Sequence, residues 1–424
     1  MLLLAITRPS IGRSPARLLD AALLLCLTAV AAQLIPLQPS LRERLSPQAF
    51  SVGRVASFEP EPAVHPSQPL SVDAEATAWA LAQGFACLAV FWCARSLFAS
   101  GGLRLTIRGV AALGLALTTL VAVQRATSPA LLYWTWKPLS AGASPYGPFV
   151  NRNALASWLA MALPLLVGYT MARHQSPRRS GDHAIPGTSI DSTQLWLAGS
   201  VVMMTGGLLA SLSRAGILGG AAGLLAFVVL SRRRLRGGAG LAWLIAGLAV
   251  MIVAASAYAN LGRLALRMQE TTEQGEWGRR AIWRDTWRMA SDFPITGVGA
   301  GAFQQGMLVY QQGSRLFFFN HAHDEYLQIA AEGGVLLAVP AAIALLAAAT
   351  LMARQLRADR SAIFWIRCGA IAGVVAIMVQ SIWDTGLRMP ANGILFAVVA
   401  AVALHDPHGA QPSSSSSGSR RSSR

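Results

Sequence analysis

The sequence predicts an all-α, polytopic helical integral membrane protein with about ten transmembrane helices and one large loop on the outer face. Three observations predict it. The 424 residues are 54% hydrophobic and only 13% charged, where a soluble domain carries roughly 25% charge. Apolar windows of about 17–22 residues recur almost without charge, long enough to cross the hydrocarbon core. Arginines gather in alternate short loops, the distribution that fixes orientation in a bilayer. A closed β-barrel would show short alternating segments, which this chain lacks.

The spans fall at about 18–37, 77–98, 107–124, 153–172, 195–212, 215–231, 239–258, 334–352, 362–383 and 391–405. The first follows Arg8, Arg13 and Arg17. So many spans come after it that it reads as an uncleaved first helix rather than a signal peptide. With the N-terminus inside, the inner loops hold Arg95, Arg104 and Arg108, then Arg173, Arg178 and Arg179. Next come the run Arg232-Arg233-Arg234-Leu235-Arg236 and, later, Arg354, Arg357 and Arg360. Both termini are then cytoplasmic, and Ser413 to Ser417 mark a disordered tail.

The outer face receives 38–76, 125–152, the tight turn at Ser213-Arg214, the long loop 259–333, and 384–390. The long loop is rich in arginine: Arg263, Arg267, Arg279, Arg280, Arg284, Arg288 and Arg315. Loops longer than about 60 residues are largely exempt from the charge bias, so this density asks for an anionic ligand or lipid headgroups. Within the loop, 277–291 reads as a helix. Trp283 and Trp287 lie four apart, as do Arg280, Arg284 and Arg288, an aromatic stripe beside a basic one that suits the headgroup region. Pro294 ends it, and Gly297, Gly299 and Gly301 form a turn. That string does not sit between a strand and a helix, which argues against nucleotide binding.

The net charge of +16 is distributed by topology and does not indicate nucleic acid. Lys137 is the only lysine. Cys26, Cys87, Cys93 and Cys368 all lie in apolar spans, a pattern unsuited to a disulfide framework or a zinc site.

The densest titratable cluster is Asn320-His321-Ala322-His323-Asp324-Glu325-Tyr326. Three readings fit it: a metal site through His321 and His323, a polar helix start anchored by Tyr326, or proton transfer by a histidine near neutral pH. Arg214 is either a snorkelling residue that marks a span end or a partly desolvated phosphate ligand. In Gly147-Pro148-Phe149-Val150-Asn151-Arg152-Asn153, Asn153 is either the N-cap of the fourth span or, with Asn151, an amide contact to sugar or phosphate. Asp384 and Arg388 flank an outer helix end and are placed to pair with each other.

Four pieces in order resemble the O-antigen ligase and polymerase family of bacterial membrane glycosyltransferases. They are the run Gly147 to Asn153, the Ser-Arg-Ala-Gly turn at 213–216, Gly278-Arg279 with Trp283, Pro294 and the glycine string, and Asn320 to Asp324 with Glu332-Gly333-Gly334. The family's His-Asn, nine residues, Gly pattern is met by His323, Asp324 and Gly334. The similar region covers about 145–350, which implies an N-terminal membrane region at 1–144, a catalytic region at 145–352, C-terminal helices at 353–405 and a tail at 406–424.

The resemblance implies a multi-pass protein of the bacterial inner membrane with loop 259–333 periplasmic. The donor would be a glycan on undecaprenyl pyrophosphate and the acceptor hydroxyl would belong to lipid A core or a growing glycan chain. No cofactor, metal or nucleic acid is implied. His323 would be the base, and Arg214 and Arg279 the pyrophosphate clamps backed by Arg280. His321, Asp324, Asn151, Asn153 and Tyr326 would contact substrate. The residue after His323 is Asp where the family commonly has Asn, and a neighbouring carboxylate is expected to raise the imidazole pKa. The competing class is a non-enzymatic transporter or flippase of lipid-linked glycans, which needs arginines but no base. It would show charges buried within spans and paired inverted halves; no clear internal repeat is evident, and the charges cluster on one face.

Overall fold

The structure is a computed structural model, and it describes residues 7, 9, 11, 15–49, 52, 67–138, 145–175, 192–234, 276–313 and 318–406. The span 239–258, the arginines Arg178, Arg179, Arg236, Arg263, Arg267 and Arg315, and the tail from 407 lie outside the described residues. The helices are α1 (Arg17–Ala32), α2 (Pro39–Leu45), α3 (Ala74–Ala99), α4 (Leu103–Thr127), α5 (Arg152–Gln175), α6 (Ser192–Ala210) and α7 (Arg214–Ser231). They continue with α8 (Glu276–Asp292), α9 (Phe303–Tyr310), α10 (Glu325–Ala358), α11 (Ile363–Gln380) and α12 (Pro390–Ala403). Among the described residues extended pairing is limited to isolated bridges. Among the described residues seven helices, α3 to α7, α10 and α11, are long and apolar enough to cross a membrane. The chain is a polytopic helical membrane protein. α1 and α12, with 16 and 14 residues, are shorter.

α11 is the central post and packs most extensively on α5 and α7. Backbones meet where Gly168 and Gly369 face each other across α5 and α11, and a Cβ on either would collide with main chain. Close approach through small residues is how helices associate where no hydrophobic drive separates them from lipid. One end of the bundle is closed by Arg367, buried between Asp359 at 3.2 Å and the Gln355 side chain at 2.6 Å. Arg234 donates to the Asp359 carbonyl at the same end.

The opposite end carries a second, smaller core. Ile282 and Met289 of α8, Phe293, Val298, Phe303 and Met307 of α9, and Ala331 of α10 pack with Ala49 and Val52. It is joined to the bundle at a break in α10, which begins at Glu325, earlier than the predicted span at 334. Gly334 adopts φ 53 and ψ −157 inside that helix, a conformation only glycine takes at low cost. The glycine string fills the break. Val298 and Gly299 donate to the carbonyls of Ala331 and Glu332, while Val335 and Leu336 donate to Pro294 and Ile295. Gln33, at the end of α1, donates to Thr296 and Glu332 carbonyls at 2.7 and 2.9 Å and accepts from Ala300 N at 2.9 Å. A Cβ at Gly297 (φ 66) would run into the Glu332 main chain. Gly297→Ala is therefore expected to separate the two cores. It forces a left-handed alanine, about 1–2 kcal/mol, plus that collision. A drop in thermal midpoint of the detergent-solubilised protein, larger than for Gly313→Ala at an open site, checks it.

Candidate active site

The residues singled out in the sequence meet at the end of the bundle that carries the second core. The histidine loop is fixed by its central alanine. Ala322 is buried, donates through N to Gln328 Oε1 at 2.9 Å and accepts from Trp283 Nε1 at 2.9 Å. One side chain from α10 and one from α8 thus pin the same residue from both sides. The next residue, His323, takes φ 54. A left-handed conformation costs a non-glycine residue about 1–2 kcal/mol and persists only where surroundings impose it. Asp324 then caps α10, its Oδ1 accepting from Leu327 N at 3.0 Å.

This cap corrects the expectation for His323. Asp324 is committed to the helix start, and His323 is shifted below the ordinary imidazole value by burial first and by the Arg279 guanidinium second. Its Nδ1 is buried with no hydrogen-bond partner among the described residues. His321 is pushed down to about 4 by burial, then by Arg388. Its Nδ1 lies 3.3 Å from Gln328 Nε2, an amide that can only donate, so the ring accepts there. Both imidazoles are neutral at pH 7.

Arg279 also acts on Asp384, whose carboxyl is raised by burial and lowered by Arg279 in smaller measure. Arg279, His323 and Asp384 therefore share one electrostatic neighbourhood. Arg388 does not pair with Asp384 as its spacing suggested. Its Nε meets Glu325 Oε1 at 3.1 Å, and its Nη1 meets Glu332 Oε2 at 2.8 Å. Gln328 Nε2 donates to Glu332 Oε1 at 2.9 Å, which completes a chain from His321 through Gln328 and Glu332 to Arg388 and Glu325. The two glutamates outbid Asp384 because Glu325, Gln328 and Glu332 lie on one face of α10, one turn apart.

Arg214 opens α7. Ser213 caps that helix by accepting from Gly216 N at 3.1 Å, and Leu212 before it has φ 52. Gly216 lies against Ala156 of α5, and Gly219 against Ala376 and Gln380 of α11. The Ser-Arg-Ala-Gly turn thus holds an exposed arginine on the same bundle end as Asp384. α5 begins there too. Its start is capped by Asn151, not Asn153: Asn151 Oδ1 accepts from Asn153 N at 2.8 Å. Gln380 bridges to Ser157 Oγ at 2.7 Å. Around this end Glu325 Oε2, Gln380 Oε1 and Ser381 Oγ are, like His323 Nδ1, buried and unpaired among the described residues.

Two expectations change. Tyr326 donates to the Met378 carbonyl at 2.8 Å and ties α10 to α11 instead of facing the histidines. α8 does not present both tryptophans on one exposed stripe. It packs on α10 and the second core, Trp283 turns inward to Ala322, and Trp287 turns outward. Arg280 is exposed beside the half-buried Arg279. Sequence reading missed Gln328 and the pairing of Glu325 with Arg388, along with Gln33, and it gave Arg388 the wrong partner. The three-and-four spacing of polar residues at the start of an apolar helix was the signal for the first two.

Residues 199–342 match the family model described as O-Antigen ligase. No curated protein matches the chain. The matched segment contains Arg214, Arg279, both histidines and the Gln328–Glu332 face, whereas Asn151, Asp384 and Arg388 lie outside it. The segment that builds the histidine loop and carries Arg214 and Arg279 is thus the part of the chain that is similar to O-antigen ligases.

Proposed function

We propose that the chain is a glycosyltransferase that moves a glycan from undecaprenyl pyrophosphate to an acceptor hydroxyl at the periplasmic face of the inner membrane. The observation that carries this reading is a neutral histidine in an imposed left-handed conformation, with an unpaired ring nitrogen, beside a guanidinium. His323 takes the proton from the acceptor hydroxyl. The acceptor oxygen bonds the anomeric carbon, and the carbon–oxygen bond to pyrophosphate breaks with inversion. The electron pair leaves on the lipid pyrophosphate, whose growing charge is met by Arg279 and Arg214. The acceptor hydroxyl belongs to lipid A core or to the end of a growing chain. A flippase would want the arginines but has no use for a strained, neutral imidazole.

A pyrophosphate clamp needs planar bidentate donors, which lysine does not supply. Arg214→Lys and Arg279→Lys are expected to lose most transfer at matched protein level. Arg284→Lys, at a side chain 61% exposed and 3.7 Å from Asp285, is expected to keep it. Equal activity of all three in a purified assay would reduce the two arginines to topological anchors. The orientation has its own check. A cysteine at Ser291, in a background lacking the natural four, should react with an impermeant thiol reagent in intact spheroplasts, and one at Ser231 should not.

A further inference from the structure

Against the second core, where Tyr310 packs, is a cleft of about 460 Å³. Trp287, Arg288 and Asp292 from the last turns of α8 line it, with Tyr310 and Gln312 at the end of α9 and Gln48 from the first outer loop. We propose that this cleft is a glycan subsite that holds sugar units of the transferred or accepting chain away from the reacting carbon. The inference rests on the glycosyltransferase reading for the origin of the glycan, but not for the binding itself.

The lining chemistry selects the ligand class. Trp287 is 65% exposed, a large indole face left in solvent on a helix whose other face fills a core. Tyr310 is fixed at the opposite side by its hydroxyl, which donates to Asp292 Oδ2 at 2.7 Å, and by an edge contact with Phe293 at 6.4 Å. The strap beyond it is held by Gln312 N donating to Asp285 Oδ2 at 3.0 Å. Rigid aromatic faces offer apolar area at little entropic cost. A carboxylate, a guanidinium and two amides add planar donors and acceptors in pairs. Sugars present C–H faces and vicinal hydroxyls, which fit this combination. Anionic headgroups fit it less well, because Asp292 places a carboxylate in the floor. Trp287 is eight residues from Arg279 on α8, about 12 Å along the axis at 1.5 Å per residue. A chain whose end reacts at His323 therefore reaches the cleft with its following units.

The test uses the full-length, detergent-purified protein and oligosaccharides of one to four repeat units cleaved by mild acid from the host's own surface polysaccharide. Titration calorimetry is expected to show binding that strengthens with length and weakens at least tenfold in Trp287→Ala and in Asp292→Asn. Trp287→Phe should retain most of it, and His323→Ala should bind as wild type does. Because Trp287 is mostly exposed, its truncation opens no core cavity. Unchanged affinity in Trp287→Ala and Asp292→Asn, or no binding by wild type at millimolar oligosaccharide, would overturn the proposal. So would a Trp287→Ala defect confined to vesicles containing phosphatidylglycerol, which would assign the indole to the membrane. Full oligosaccharide binding with no transfer by wild type would instead overturn the transferase reading and leave the cleft standing.

Discussion

Replacing His323 by alanine is expected to reduce transfer by about 10²–10⁴-fold, the usual cost of losing a general base, while insertion and thermal midpoint stay near wild type. The fold does not depend on the ring. Ala322 is pinned by Gln328 and Trp283, and Asp324 caps α10, without help from the imidazole. Removing a side chain from a left-handed position relieves none of the strain and opens no large cavity, because the ring is only half buried. The pH profile adds a sign. Burial and Arg279 both disfavour the imidazolium, so the base is neutral at pH 7 and the acid limb of kcat/KM should lie below the free imidazole value of about 6.5. Arg279→Gln removes one depressing cause and should move the limb upward at whatever rate remains. His321→Ala should cost less, since that ring points to Gln328. A His323→Ala protein with near-normal output, or an acid limb above 6.5, would remove His323 from the mechanism.

Arg388→Met is expected to be the most destabilising single change at the site, at about 3–5 kcal/mol. The guanidinium is flanked by Glu325 and Glu332, whose side chains are 11% and 3% exposed. Burial alone holds the surrounding charges at a cost, and only their mutual pairing offsets it. Burial is the largest influence on Arg388 and opposes its charge, but Glu332 and then Glu325 together outweigh it and raise its pKa. Without it, two carboxylates share an apolar helix face and one must take a proton. The damage should spread to His321 through Glu332 and Gln328. Adding Glu332→Gln should recover part of the loss, because it removes a charge and keeps an acceptor for Gln328. Thermal unfolding of the single and double variants checks this. Equal midpoints for wild type and Arg388→Met would mean the pairing contributes nothing.

The sequence carried the membrane class, and nine of its ten spans fall on helices of the fold, with 239–258 outside the described residues. Hydropathy is a property of single segments, so it survives without tertiary knowledge. His323, Arg279 and the Ser-Arg-Ala-Gly turn are local patterns too, legible as motifs whatever their roles. What was not legible depended on which segments meet. Arg388 has an acid four residues before it, yet it reaches across to α10, because two buried carboxylates on one helix face attract it more than one. Asp324 looked like a partner for His323, but a main-chain donor three residues on claimed its oxygen. The glycine string read as a turn, and its main chain also splints the break at Gly334 through four hydrogen bonds to and from α10. Gln33, some 300 residues from the carbonyls it binds, gave no local signal at all.

The central claim is that this end of the bundle transfers a glycan off a lipid pyrophosphate. It is tested most directly by giving the purified protein undecaprenyl-pyrophosphate-linked oligosaccharide together with an acceptor. Glycan joined to acceptor and free undecaprenyl pyrophosphate are then measured in the same sample. The account predicts that the two appear in equal amounts with wild type and that both are lost together in His323→Ala. Movement of the intact lipid-linked glycan across a vesicle membrane, with no pyrophosphate released and no dependence on His323, would contradict it.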